Sequence, residues 1–238
     1  MDLSLIIPAY NEQAYIAATL ERVNHALRYA GNSRVEIIVV DNGSTDETAA
    51  VAARYVSKII AEGEHSVARA RNAGAAAATT DVLVFLDADT LVPERFFARI
   101  GEIMEDSRCI GGSVDIDHGA GRKWVRVYLA LWRWFGRLAG MAQGAAQFCR
   151  RDAFAAVSGY DERLFMGEDV DFYWRLGRLA KPRGNYVRTI SDLRVCPSPR
   201  RFDQWPAWRI LLWTNPLFIL LFQRRRSAWR GWYEKPVR

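Results

Sequence analysis

Two carboxylates, Asp87 and Asp89, stand at alternate positions just after the apolar run Val82–Leu86. Alternate side chains of an extended segment point the same way. The pair thus offers hard oxygen ligands to one point, the chemistry that holds Mg2+ or Mn2+ while leaving other positions to substrate phosphates. A cation held there would neutralise a leaving diphosphate. The dipeptide alone fits a plainer arrangement equally well, with Asp89 capping a helix that begins near Pro93 and Asp87 a solvated strand end. Two more polar clusters follow apolar runs, Pro8-Ala9-Tyr10-Asn11-Glu12 and Asp41-Asn42-Gly43-Ser44. Asp41 is also suited to opening an Asx turn before Gly43. Glu168, Asp169 and Asp171 open a helix-compatible stretch, where the helix dipole by itself favours negative charge.

The elements that must position these groups are legible as alternating patterns. Short β-branched runs at Leu3–Ile7, Val35–Val40, Lys58–Ala61 and Val82–Leu86 alternate with longer helix-compatible segments, the rhythm of a parallel α/β sheet. The second and fourth runs are nearly unbroken apolar, as central strands covered on both faces require. Ligands of such sheets bind outside the carboxyl ends of the strands, where the polar clusters lie. Ser44-Thr45-Asp46-Glu47 predicts a capping box opening a helix to about Tyr55. Further on, the pattern predicts a strand over Ile110–Ile116, a helix over Arg122–Met141, a return strand over Gly144–Cys149, a short helix over Arg151–Val157 and a helix over Glu168–Leu179 closed by Lys181-Pro182. In the Arg122–Met141 helix, Arg122, Arg126, Arg133 and Arg137 oppose Trp124, Val127, Leu131, Trp134, Phe135 and Leu138. Gly111-Gly112-Ser113 would let backbone approach a ligand or simply form a bend.

Five ordered motifs carry a resemblance. They are Ser4-Leu5-Ile6-Ile7-Pro8-Ala9-Tyr10-Asn11-Glu12, Val39-Val40-Asp41-Asn42-Gly43-Ser44-Thr45-Asp46, Ala68-Arg69-Ala70-Arg71-Asn72-Ala73-Gly74, Phe85-Leu86-Asp87-Ala88-Asp89, and Gly159-Tyr160-Asp161-Glu162 with Gly167-Glu168-Asp169-Val170-Asp171. Across roughly residues 3–180 the sequence resembles the family 2 glycosyltransferases. The resemblance implies a GT-A type fold, a Rossmann-like, mostly parallel sheet flanked by helices, with Mn2+ or Mg2+ and a nucleotide-diphosphate sugar donor. Pro8, Ala9, Tyr10 and Glu12 would line the nucleoside pocket, and Asp41 would accept a hydrogen bond from the base. Arg71 and Asn72 would lie near the donor, with Arg71 supplying charge-assisted hydrogen bonds. Asp87, Ala88 and Asp89 would meet the metal-diphosphate, Asp87 and Asp89 as metal ligands. Glu168 would contact the donor sugar side, and Asp169 would be the base of an inverting displacement. Residues 1–199 would form the catalytic domain, a nucleotide-binding half over 1–89 and an acceptor half over 90–199.

Charge and composition bear on partners. The net charge is +6, yet residues 200–238 alone carry nine Arg or Lys against Asp203 and Glu234, so the rest of the chain is close to neutral. That tail also holds Trp205, Trp208, Trp213, Trp229 and Trp232, the composition of a membrane interface and not of a nucleic-acid groove. Its apolar run Ile210–Phe222 is too short to span a bilayer and is broken by Asn215-Pro216. An in-plane anchor is expected, followed by Arg224-Arg225-Arg226, with packing on the Arg122–Met141 helix as the alternative. Such an anchor would suit a lipid-linked or glycan acceptor at a cell envelope. Cys109, Cys149 and Cys196 match neither a disulfide framework nor a zinc pattern, and Met1-Asp2 leads straight into a strand. The expected location is cytoplasmic, peripheral on the inner membrane face. His25, His65 and His118 show no ligand spacing, and structural or exposed roles are expected for them, with His118 a minor acceptor-side candidate. Two other functions share these features, a nucleotidyltransferase and a non-catalytic nucleotide-binding membrane scaffold. The first would carry a glycine-rich loop where Pro8–Glu12 stands, and intact carboxylates argue against the second.

Overall fold

In the first half, strand and helix alternate strictly. β1 (Leu3–Ala9), α1 (Ile16–Leu27), β2 (Val35–Asp41), α2 (Thr48–Ala52), β3 (Lys58–Ala61), α3 (Val67–Ala77) and β4 (Val82–Leu86) follow one another. The computed structural model describes residues 1–229 except 32, 120 and 143. Residues 230–238, with Arg230, Trp232, Glu234, Lys235 and Arg238 of the tail, lie outside the described residues, as do the side chains of Arg137 and Leu138. The four strands are parallel in the order β3-β2-β1-β4. Every residue of β1 and β4 is buried, because each face of the sheet has its own cover. Leu5, Ile7 and Ala9 of β1 join the core beneath α1, where Ile16, Leu20 and Val23 fall on one stripe, while Ile6 joins the core beneath Ala68 and Ala70 of α3.

The second half adds β5 (Thr90–Leu91), α4 (Phe96–Met104), β6 (Cys109–Ile116), α5 (Lys123–Leu138), β7 (Ala146–Arg150), α6 (Arg151–Ala156), α7 (Glu168–Ala180) and β8 (Tyr186–Pro197). The full sheet runs β3-β2-β1-β4-β7-β6-β8-β5. It is mostly parallel, as expected, but β7 runs antiparallel to both β4 and β6, and β5 antiparallel to β8. Reversal of β7 brings its N-terminal end to the carboxyl edge of β4, Ala146 opposite Leu86. The chain closes with α8 (Arg200–Gln204), α9 (Ala207–Trp213) and α10 (Pro216–Phe222).

Three local expectations are corrected. No capping box forms, and α2 covers only Thr48–Ala52. Ser44 Oγ is taken up by the Asn11 N–H at 3.0 Å, while Asp46 Oδ1 accepts the Thr48 N–H at 3.0 Å. Gly111 and Gly112 serve strand packing and not a ligand: a Cβ would lie 2.6 Å from the Phe148 carbonyl oxygen at the first and 1.9 Å from that of Arg188 at the second. The arginines in and before α5 divide, with Arg126 exposed and Arg122 and Arg133 reaching inward. Arg122 donates to the carbonyls of Phe202 and Trp205, and Arg133 donates to that of Ile116, while Val125 and Leu129 are buried. Trp124, Val127, Leu131, Trp134 and Phe135 face outward, between 40% and 63% exposed.

The tail does pack on α5. Val125 and Leu129 form one cluster with Trp205, Ile210, Trp213 and Trp229. Tyr128 Oη lies 2.5 Å from Thr214 Oγ1. Outside this seam, Trp208, Leu217, Leu220 and Leu221 are 64–71% exposed.

Candidate active site

At the carboxyl edge of β1 and β4 lies an open cleft of about 240 Å³. Its floor is the Asp87-Ala88-Asp89 turn, which has anchors on both sides. The Asp87 N–H donates to Ala145 O beside β7 at 3.1 Å, and Thr19 Oγ1 of α1 donates to Ala88 O at 2.8 Å. Asp89 does not cap the following helix, which starts at Phe96 without any side-chain cap. The plainer reading of the pair thus loses its structural role for Asp89.

Arg71, on the second turn of α3, is only 3% exposed and joins two acidic groups. Its Nη2 donates to Asp87 Oδ1 at 2.9 Å and its Nη1 to Glu168 Oε1 at 3.0 Å. A contact to Gly144 O and a position over the Tyr160 ring complete its surroundings. Burial opposes its charge, but the neighbouring carboxylates overcome this and hold it firmly protonated.

Glu168 and Asp169 begin α7, entered through Gly167 at φ +76°. Asp169 packs directly on Gly144, where a Cβ would lie 2.5 Å from Asp169 Oδ2, so only glycine admits the carboxylate there. Gln147 of β7 donates to the Asp169 carbonyl at 3.0 Å and accepts from Tyr160 Oη at 2.8 Å, which fixes the start of the helix. Burial pushes Glu168 up to about 7, with Asp169 adding repulsion and Arg71 opposing both. Asp169 is raised as well, chiefly by burial. Two adjacent carboxylates withdrawn from water resist ionising together, the setting of a proton-accepting group.

On the other side of the cleft stands Glu12, whose N–H donates to Thr48 Oγ1 at 2.8 Å. Both of its oxygens accept from Arg200, whose Nη2 also lies 3.1 Å from Asp89 Oδ2. Burial raises Asp89 to about 6, with Arg200 pulling the other way. Tyr10 stacks on His65, ring centroids 3.5 Å apart.

Of the residues singled out by sequence, Pro8, Tyr10, Glu12, Arg71, Asp87, Ala88, Asp89, Glu168 and Asp169 converge on this cleft. Three do not line it. Ala9 is buried in the core beneath α1. Asp41 forms the Asx turn, its Oδ1 accepting the Ser44 N–H at 3.1 Å. Asn72 clamps the turn after α6, donating to Tyr160 O and Glu162 Oε1 and accepting the Tyr160 N–H. Conversely His65, Arg200 and Arg201 line the cleft although no motif marks them. His65 is one lone histidine, and charge counting merges the two arginines with the tail. The doublet directly after Ser198-Pro199, apart from the later basic run, was the available signal.

The donor set fits a divalent cation. Among the described residues no cluster of three or more His, Cys, Asp or Glu surrounds a point. Two carboxylates suffice for Mg2+ or Mn2+ when substrate phosphates supply further oxygens. Guanidinium groups already sit on both Asp87 and Asp89, direct signs that each carboxylate presents negative charge to a cation.

This sheet, with an acidic turn after β4 and an acidic helix start across the cleft, defines a GT-A type domain. Residues 4–158 match the family described as glycosyl transferase family 2, and the chain belongs to that family. A pre-mycofactocin glycosyltransferase from Mycobacterium tuberculosis is 30% identical over 192 residues, 74% of this chain and 39% of that protein. The glycosyltransferase AglE of Haloferax volcanii is 26% identical, over 85% of this chain and 68% of its own. The chain spans only 35–39% of the length of the first relatives it matches. A mannosyltransferase of Pyrobaculum calidifontis, solved with GDP-Man and Mn2+, superposes with a TM-score of 0.70 at 22% identity, covering 96% of this chain and 64% of that one. S. aureus TarS residues 1–349, solved with UDP-GlcNAc, gives 0.65 at 14% identity over 99% and 77%. These likenesses show the fold.

Proposed function

We propose that this chain transfers a sugar, with inversion, from a nucleotide-diphosphate sugar to a hydroxyl of an acceptor. The observation that carries the reading is the Asp87–Arg71–Glu168 bridge, which ties the diphosphate end of the cleft to the Asp169 end. Asp87 and Asp89 would hold Mn2+ or Mg2+, which supplies positive charge against the departing diphosphate. Asp169 accepts the proton of the attacking hydroxyl as the new bond to the anomeric carbon forms and the bond to the diphosphate breaks. A carboxylate at that place also stabilises positive charge developing on the sugar ring. Tyr10, Glu12 and, at the neighbouring strand end, Asp41 would frame the nucleoside.

The test is release of nucleoside diphosphate from a donor panel with Mn2+ or Mg2+. Asp169→Asn and Asp87→Ala are each expected to lower turnover by at least 100-fold. Unchanged turnover in either variant defeats the assignment.

The acceptor is proposed to be lipid-linked and the chain peripheral on the inner face of a cell-envelope membrane. The support is the outward apolar side chains of α5 together with exposed apolar residues of α9 and α10, followed in the chain by exposed Arg224, Arg225 and Arg226. No described helix is long and apolar enough to cross a membrane, so this face would lie in the interface. An undecaprenyl-phosphate 4-deoxy-4-formamido-L-arabinose transferase of Klebsiella pneumoniae is 31% identical over 122 residues, 47% of this chain, and adds support for a polyprenyl-type acceptor. Cys109, Cys149 and Cys196 are free thiols, in keeping with a reducing compartment.

A further inference from the structure

Arg200 has the environment of a working group and not of a surface charge. It is about 8% exposed at its side chain, lies over the Tyr15 ring at 4.3 Å, engages both oxygens of Glu12, and reaches Asp89 Oδ2 at 3.1 Å. Its Nε is buried with no hydrogen-bond partner. It is carried by α8, a short helix outside the sheet, fastened to the start of α5 through Arg122 and through the Gly121 N–H on Asp203 Oδ1.

Arg71 cannot exchange its partners in the same way. It is wedged between Asp87, Glu168, Gly144 O and the Tyr160 ring, so a ligand that drew it away would leave the largely buried Glu168 without its counter-charge. Arg200 bonds to Glu12 and Asp89, both at the cleft, and Asp89 is one of the two metal ligands proposed above. A guanidinium and a divalent cation cannot both sit on Asp89 without strong repulsion unless anionic oxygens come between them. A diphosphate brings those oxygens, and a guanidinium pairs with phosphate as readily as with carboxylate.

Building on the nucleotide-sugar reading, we propose that Arg200 is a resident counter-cation: it neutralises Asp89 and Glu12 before the donor binds, then moves with Arg201 onto the diphosphate as the divalent metal takes Asp89. Arg201 lines the same cleft, next in the chain, and supplies the second positive group for the phosphates. The consequence is thermodynamic coupling. Metal alone must displace Arg200 and binds weakly, whereas metal and nucleotide together relocate it to a new anionic partner. Each ligand therefore tightens the other by the same factor.

Binding of Mn2+ is to be measured by electron paramagnetic resonance, with and without saturating UDP or GDP, in the intact chain, Arg200→Gln and Arg200→Lys. Nucleotide affinity is measured alongside by calorimetry, and thermal unfolding checks that the variants fold. Arg200→Gln is expected to bind Mn2+ alone about ten-fold more tightly, to bind the nucleotide with Mn2+ about ten-fold more weakly, and to lose most of the coupling. Arg200→Lys keeps the charge and is expected to retain most of it. An unchanged Mn2+ affinity and coupling factor in Arg200→Gln overturns the assignment of Arg200 while leaving the transferase reading intact. Failure of the unaltered chain to bind either nucleotide, with Mn2+ present, overturns both.

Discussion

Asp87 at the end of β4 and Glu168 at the start of α7 are held by the two ends of one guanidinium, Arg71 lying 2.9 Å from the first and 3.0 Å from the second. The bridge sets the spacing between the proposed metal ligand and the proposed base, because both acidic segments take their position from the same planar group. Arg71→Met should therefore cost more than a surface ion pair. It leaves the largely buried Glu168 and the partly exposed Asp87 without their shared counter-charge, a loss of about 1–3 kcal/mol once solvent screening of Asp87 is allowed for. Arg71→Lys restores charge but not the fork, so partial recovery of stability with turnover still depressed is expected. Urea unfolding and steady-state kinetics on both variants check this.

The pH dependence follows from Glu168, raised to about 7, and Asp169, raised by the same burial. A base must be deprotonated to act, so kcat should fall on the acid side, with the limb lying above the ordinary aspartate range because burial raises Asp169. Glu168→Gln removes a like charge next to Asp169 and should move the rising limb of the kcat profile to lower pH. The stability effect has the opposite sense to that of an ordinary salt bridge. Folded-state values above the unfolded ones mean that the native site binds more protons, so this site contributes more to stability as pH falls from about 7 towards the ordinary carboxylate range. A kcat profile unmoved by Glu168→Gln contradicts the coupling.

Glu36 of β2 makes the contrasting case. It accepts from Lys58 at 2.6 Å, Ser4 at 2.7 Å and the Thr79 N–H at 3.0 Å. Burial works to raise it, yet these bonds together hold it down at about 2. With the folded value below the unfolded one, its contribution is complete above about pH 4.5 and disappears as pH falls towards 2. Glu36→Gln should destabilise the fold by about 1–2 kcal/mol at pH 7 and by much less near pH 2. Paired denaturation curves at the two pH values test the sign.

How much of this was legible beforehand depended on whether a residue's role is local. The nearly unbroken apolar runs of β2 and β4 encode burial directly, so the parallel half of the sheet and its acidic strand ends could be read in the sequence. The β1–α1 and β2–α2 loops could not, because Ser44 and Thr48 are spent on the Asn11 and Glu12 N–H groups across the fold and not on capping α2. β8 alternates around exposed residues at a sheet margin, which leaves little hydrophobic pattern to detect. Arg200 lies far from Glu12 in the chain, and only the tertiary structure separates it from the other arginines of the tail. Asn72 belonged to a motif, yet its side chain holds the turn before Tyr160.

The outward face of α5 yields the last prediction. An amphipathic helix normally buries its apolar stripe, but here Val125, Tyr128 and Leu129 meet the tail cluster while Trp124, Val127, Leu131 and Trp134 remain in contact with solvent. Together with Trp208, Leu217, Leu220 and Leu221 they form apolar surface that contributes nothing to folding as it stands. Immersion in a bilayer interface would bury it, at roughly 25 cal/mol for each Å² removed from water. Arg224-Arg225-Arg226 add attraction to anionic headgroups, about 1 kcal/mol for each basic residue near the surface. The chain should float with vesicles containing phosphatidylglycerol, and less so at high salt or with phosphatidylcholine alone. Trp134→Glu combined with Leu221→Glu should abolish flotation without lowering thermal stability, since neither side chain is part of the packed cluster. Replacing the three arginines with serine should remove the preference for anionic lipid while leaving residual binding. Flotation that persists in the double glutamate variant would assign membrane contact to some other surface, and turnover on a water-soluble acceptor should be the same in both proteins.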